Sequence, residues 1–163
     1  MKTDRRGFTL IELMIVVAVI TIIASLAIPN LLRHRMSANE ACAAGSMRII
    51  ATAQVGFQTA ALYDAAGDGV GDFGTLAQLA EPPGNPDQPA FIDAVLGQGM
   101  RSGYRFTVVV TEGIGDTAPA YTCNGDPVEV HRTGTRRFFV DETGVIRFTA
   151  NGSPATVDSV PMQ

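Results

Sequence analysis

Arg5-Arg6-Gly7-Phe8-Thr9-Leu10-Ile11-Glu12 stands at the head of the chain, directly before a long apolar run. Residues 8–28 form a stretch of 21 residues, about 31 Å long as an α-helix. That length matches the roughly 30 Å hydrocarbon core of a bilayer. Glu12 interrupts the apolar character. A carboxylate inside such a span costs about 2.5–3.5 kcal/mol on insertion scales, so its presence asks for a partner. Lys2, Arg5 and Arg6 precede the span and argue for an N-terminus kept on the cytoplasmic side, whereas Arg33 and Arg35 follow it and oppose that rule.

This octapeptide resembles the cleavage and methylation signal of type IV prepilins and type II secretion pseudopilins. The resemblance implies cleavage by a membrane peptidase between Gly7 and Phe8 and N-methylation of the new terminus, Phe8. Glu12 falls at the family's acidic assembly position, and Pro29 falls where many members carry a kink proline. Cleavage would create an ammonium group at Phe8 that complements Glu12 of a neighbouring subunit and helps set the axial register of a filament. The implied product is a structural subunit of a type IV pilus-like filament, assembled through its N-terminal helix.

The same resemblance implies the division of the chain and its partners. Residues 1–7 are the leader, 8–28 the transmembrane and filament-core helix, and 29–163 the periplasmic or extracellular globular domain. The partners are other pilin-like subunits, the prepilin peptidase and methyltransferase, and an inner-membrane assembly platform. Before assembly the chain crosses the inner membrane once; afterwards it lies in a periplasmic or extracellular filament. The pseudopilus of a type II secretion system stays open as the other machine. The pilus is favoured slightly, because the calcium loop of major pseudopilins is not evident. The two cysteines do not form the C-terminal disulfide loop of many major pilins, which weakens an adhesive role.

Three plainer readings compete: an ordinary secretory signal with Ser25-Leu26-Ala27 as its cleavage site, a twin-arginine export signal, and a simple signal anchor. Each would leave a secreted or anchored binding domain that forms no filament. None gives a reason for Glu12.

The 163 residues suffice for one modest domain beside a membrane helix. Twelve basic and 16 acidic residues give a net charge of −4. Removing Lys2, Asp4, Arg5 and Arg6 with the leader leaves 9 basic and 15 acidic residues, a net charge of −6. Such a surface argues against general nucleic-acid binding, which depends on neutralising phosphates.

Past the span, Leu32, Met36, Ala43, Met47, Ile50, Phe57 and Ala61 recur at helical spacing. Arg35, Asn39, Glu40, Arg48 and Gln54 are assigned to the opposite, solvated face. A helix is therefore expected over residues 8–62, interrupted near Pro29. A Gly/Asp-rich loop follows at 64–74, a short helical turn at 75–80, a proline-rich linker at 81–89 and a helical segment at 90–96. Strands are expected at 104–111, 120–123, 136–140 and 145–149. Asp141-Glu142-Thr143-Gly144 reads as a hairpin turn with glycine where a positive φ is favoured. Residues 151–163 show no periodicity and are expected to be loose. The periodicities give an α+β fold; a long N-terminal helix packed on a small antiparallel β-sheet is what the resemblance adds.

Cys42 and Cys123 allow one intramolecular bridge outside the cytoplasm, and it would staple the helix to the sheet. Two buried free thiols are the other reading. Asp64, Asp68 and Asp72, with glycines between them, resemble part of a calcium loop, but Ala66 and Thr75 stand where further oxygen ligands are needed. Calcium is the one cofactor considered, against a solvated acidic loop. His34 and His131 stand alone. Arg132, Arg136 and Arg137 make a small basic patch that faces solvent, a neighbouring subunit's acidic loop or DNA. No nucleophile–base set and no phosphate loop occurs, so no catalytic residue is assigned and no enzymatic activity is expected.

Overall fold

The computed structural model describes residues 8–83, 89–114 and 117–162. Leader residues 1–7 and the middle of the expected linker, 84–88, lie outside the described residues. The chain divides into two compact units, Met1–Arg35 and Met36–Gln163. One helix, α1 (Leu10–Thr59, 50 residues), supplies residues to both.

α1 runs through Pro29 without interruption, contrary to the expected break. A proline removes a single backbone bond, here the one to the Ser25 carbonyl, and the bonds on either side carry the helix past it. α1 ends earlier than residue 62. The Ala61 N–H donates to the Gln58 carbonyl at 3.0 Å, and Ala61 adopts a φ of 47°, which no helix continues.

The second unit is α+β. Its helical stretch of α1 lies against a six-stranded sheet made of β1 (Met100–Arg101), β2 (Tyr104–Thr111), β3 (Ala120–Pro127), β4 (Arg137–Asp141), β5 (Arg147–Thr149) and β6 (Val160–Pro161). The spatial order is the chain order, and every neighbouring pair is antiparallel. Two short helices, α2 (Leu76–Ala80) and α3 (Ala94–Gly97), precede the sheet. Thr75 and Gln78 cap α2 reciprocally, and the Asp93 carboxylate accepts from the Val95 and Leu96 amides of α3.

Local chemistry explains the turns. Ser102 and Gly103, with φ of 49° and 73°, form the two-residue link between β1 and β2. The expected turn after β4 is present. The Gly144 N–H donates to the Asp141 carbonyl at 2.9 Å, with Gly144 at a φ of 72°. β3 extends four residues beyond the expected 120–123, through Asn124-Gly125-Asp126-Pro127. Those residues look like a turn, but Gly125 serves a close approach: a Cβ there would stand 3.2 Å from the Met47 sulfur and 3.3 Å from the Phe106 ring. The tail is also ordered. β6 pairs with β5, the Met162 N–H donates to the Ile146 carbonyl at 2.7 Å, and Ala155 is buried.

The core sits between the helix and the sheet. Met47, Ile50 and Phe57 from α1 are completely buried, as are Leu79, Leu96, Tyr104, Cys123 and Val140. Burial of each large apolar side chain contributes about 1.5–3 kcal/mol. Gln54, expected on the solvated face, is fully buried as well. Its Nε2 donates to the Gly74 carbonyl at 2.6 Å and its Oε1 accepts from the Gly74 N–H at 2.9 Å. The side-chain amide behaves as a strand edge for one residue of the loop and anchors that loop to the helix.

Candidate assembly segment

In the first unit Thr9 and Glu12 close the front of α1. The Thr9 hydroxyl and the Thr9 N–H both donate to Glu12 Oε2, at 2.6 and 2.9 Å, and the Glu12 N–H donates to Thr9 Oγ1 at 3.3 Å. This is a reciprocal capping box, in a place where the helix dipole also favours a negative charge. Glu12 therefore has a partner inside its own chain. Sequence reasoning passed over Thr9, although the spacing Thr9-Leu10-Ile11-Glu12 carries the capping-box signature.

The flank of this helix is apolar on all sides. Phe8 is 80% exposed, and Leu10, Ile11, Met14, Ile15 and Ile20 are all exposed too. An 18-residue window of α1 has a mean hydropathy of 2.8 with none of it buried, which is long and apolar enough to cross a membrane. The polar residues in the stretch turn inward on the backbone. The Thr21 hydroxyl donates to the Val17 carbonyl at 2.8 Å and the Ser25 hydroxyl to the Ile22 carbonyl at 2.7 Å. What remains at the surface is hydrocarbon, with Glu12 fixed at its start.

The chain thus joins an apolar helix of spanning length, opened by the Thr9–Glu12 capping box, to an α+β unit with a meander sheet. Comparison with known proteins narrows this. The prokaryotic N-terminal methylation motif matches residues 2–28. The chain is 48% identical over 52 residues to the type IV major pilin protein PilA of Myxococcus xanthus, covering 32% of this chain and 24% of that protein. It is 60% identical over 37 residues to the type IV wide pilus major component PilA4 of Thermus thermophilus, covering 23% of this chain and 28% of that protein. Over this N-terminal segment the chain carries the methylation motif and is similar to type IV pilins. The matched segments span about a quarter of the length of those relatives. No solved structure matches the chain.

The other candidate residues are placed as follows. Gly7 lies outside the described residues, and Phe8 is exposed ahead of α1. Cys42 and Cys123 are both free, so the expected bridge is not formed. The Cys42 thiol lies 3.0 Å from the Ser102 hydroxyl, while the buried Cys123 thiol meets the Met47 sulfur at 3.8 Å. Met47 is five residues further along α1, about 7.5 Å of rise beyond Cys42. The two thiols occupy different levels of the helix–sheet interface, whereas a bridge needs Cβ atoms about 4 Å apart.

Asp64, Asp68 and Asp72 do not converge. Asp64 accepts from the Gly67 and Gly69 amides at 2.7 and 2.9 Å, and Asp68 accepts from the Val70 amide at 2.8 Å. Asp72 is buried and accepts from Ala65 and Gly113 at 2.8 and 2.6 Å. The carboxylates serve as caps for loop amides. Among the described residues no group of three or more His, Cys, Asp or Glu side chains is placed to hold a metal ion. The Asp64 carboxyl is held below its usual range, first by the Gly69 amide and with help from that of Gly67, against the opposing effect of partial burial.

The basic patch is neutralised within the chain. Arg132 pairs with Glu129 at 2.7 Å, Arg137 with Asp126 at 3.2 Å and Arg136 with Glu40 at 3.5 Å. Arg136 also stacks over Phe148, 5.1 Å from the ring centroid. Glu40, assigned to the solvated face, in addition accepts from the Thr135 N–H at 2.8 Å and its hydroxyl at 2.9 Å. Asn39 donates to the Thr133 carbonyl at 2.9 Å. These two polar residues of α1 fasten the segment before β4. His34 is exposed, and His131 sits in a turn with a φ of 65°.

Proposed function

We propose that the chain is a structural subunit of a type IV pilus-like filament and has no catalytic role. It is made with residues 1–7 as a leader, cut between Gly7 and Phe8 by the prepilin peptidase, and methylated on Phe8. Until assembly, residues 8–28 cross the inner membrane with the N-terminus cytoplasmic and residues 29–163 outside. An assembly platform then moves the helix from lipid into a bundle of like helices. The exchange is nearly neutral in hydrophobic terms, because both surroundings are apolar, and packing decides it. Ala18, Ala24, Ser25 and Ala27 give the helix small surfaces for close approach.

The observation that carries this reading is the glutamate capped at the start of a bare apolar helix, inside a segment matched by the methylation motif. Glu12 Oε1 has no donor among the described residues and is open to the Phe8 ammonium of a neighbouring copy. Both curated relatives are named as major pilus components, which supports the pilus over a secretion pseudopilus. Intact-mass analysis of the protein from its native membrane, with N-terminal fragmentation, tests it. A mature chain beginning at methylated Phe8 is expected. A chain beginning at Ile28, or one that keeps residues 1–7 beside an active prepilin peptidase, overturns it.

A further inference from the structure

We propose that a second copy of this chain docks on the outward face of α1 in the second unit, and that the tip of the loop at residues 66–70 is the part that enters. The proposal rests on the filament reading above and names one of its subunit contacts.

The socket is visible in the sequence once the buried face is known. Between Ala41 and Tyr63 the only charged residue is Arg48. Ala43, Met47, Ile50 and Phe57 face the core, yet Ile49 and Val55 remain 44% and 58% exposed. A helix face turned to water ordinarily carries charged residues. Here Arg48, Ile49, Thr52, Ala53, Gly56 and Phe91 line a groove of about 470 Å³. Gly56 allows the Phe91 ring to form its wall, since a Cβ at that position would stand 3.1 Å from the ring.

Arg48 lacks an anion. Among the described residues no carboxylate lies within ion-pair distance of it, and its guanidinium donates to the Met162 sulfur at 3.9 Å. Its other side opens on a polar hollow that also holds Glu40 and Arg136. Glu40 is already taken up by Thr135 and Arg136, so the balance of that hollow is positive. In a chain with more acidic than basic residues, a guanidinium left over beside an apolar groove fits an apolar group with a carboxylate close beside it.

The loop tip has that composition. Gly67 and Gly69, with φ of 69° and 84°, have nothing within 4 Å of their Cβ positions, so the tip stands clear of the protein. Asp64 holds it in shape through their amides. Asp68 Oδ1 accepts from the Val70 N–H at 2.8 Å, which fixes a carboxylate beside an apolar side chain that is 53% exposed. Socket and tip are different patches of the same chain. Such a contact is head-to-tail and propagates into an open assembly instead of closing into a dimer.

The test uses the full chain in cells that assemble it, with sheared filaments as the readout. Arg48→Asp and Asp68→Arg are each expected to lower filament yield about tenfold, because each sets like charges against one another across the contact. The two together are expected to restore it. Both side chains are exposed, and thermal melting of the variants in detergent checks that the fold survives. Independently, Thr52→Cys with Val70→Cys is expected to give a ladder of covalently linked oligomers on oxidation of intact filaments, which neither single variant gives. Wild-type yields from the single charge variants, a double variant no better than either single one, or the absence of the ladder would overturn the contact and leave the filament reading standing. Lack of any filament from the wild-type chain would remove both, and is read before any variant is made.

Discussion

The Tyr104 hydroxyl, at the buried start of β2, donates to the main-chain carbonyl of Arg136 at 2.8 Å. Burial, reinforced by the nearby negative charge of Glu40, pushes this phenol above its usual range, so it remains a donor. The bond ties the segment entering β4 to a strand two places away in the sheet. Gly134 makes room for it. A Cβ at that position would fall on the Tyr104 hydroxyl. Gly134→Ala should therefore displace the ring or the segment and destabilise the second unit by about 1–3 kcal/mol, the usual range for overpacking. Thermal unfolding of the intact chain in detergent, followed by circular dichroism, measures this.

Gln54 and Gly74 form the second long-range polar link. Gln54→Ala leaves a buried N–H and a buried carbonyl without partners, at about 1–3 kcal/mol for each. The loss should exceed that of Gln58→Ala, four residues along the same helix and half-buried. The same unfolding measurement compares the two.

The thiols should differ in reactivity. Burial pushes the Cys123 thiol up to about 12, so it carries almost no thiolate at mildly alkaline pH. Cys42 is half-buried beside Ser102. A thiol-exchange dye should label one cysteine per folded chain, Cys42, and the second only after unfolding. Labelling of neither would indicate a bridge.

Acid should loosen the Asp64 turn. The folded carboxyl lies below its ordinary 3.8, so its contribution is fully present above that value and is lost as pH falls through the lower folded value. The amide resonances of Gly67 and Gly69 should hold steady from neutral pH down to that region and then move together. Asp64→Asn should abolish the transition.

Glu12→Leu should leave membrane insertion intact, since it removes a charge from an apolar span, and should impair filament assembly. Thr9→Val removes the cap but keeps the carboxylate. It should cost the helix about 1 kcal/mol and reduce assembly less than Glu12→Leu does. Membrane fractionation and filament yield separate the two effects.

The helix and its buried stripe were legible because Ala43, Met47, Ile50 and Phe57 keep the 3.6-residue period. The same period places Gln54 between Ile50 and Phe57, and polarity alone sent it to the wrong face. The latter half of β3 was hidden because Asn124-Gly125-Asp126-Pro127 has the composition of a turn, while the close approach of Met47 that explains Gly125 is a tertiary fact. Docking of the tail depends on two short pairings and one main-chain bond, which leave no periodic trace. Gly7, Phe8 and Glu12 were recognisable as a motif, but the in-chain role of Thr9 required the cap geometry.

The sheet's outer rims bear on how copies can meet. Its border strands, β1 and β6, are each two residues long, and Pro161 removes a donor from β6. Unpaired main-chain donors and acceptors on a long border would invite any extended peptide to add itself as a further strand. At the β6 rim that invitation is withdrawn, whereas β1 covers only Tyr104 and Arg105 of β2 and, among the described residues, leaves 107–111 without a strand on that side. Copies that meet at the β6 rim are thereby steered away from strand addition and toward contacts chosen by side chains, while residues 107–111 of β2 keep a stretch of main chain on which a neighbour's extended segment could lie.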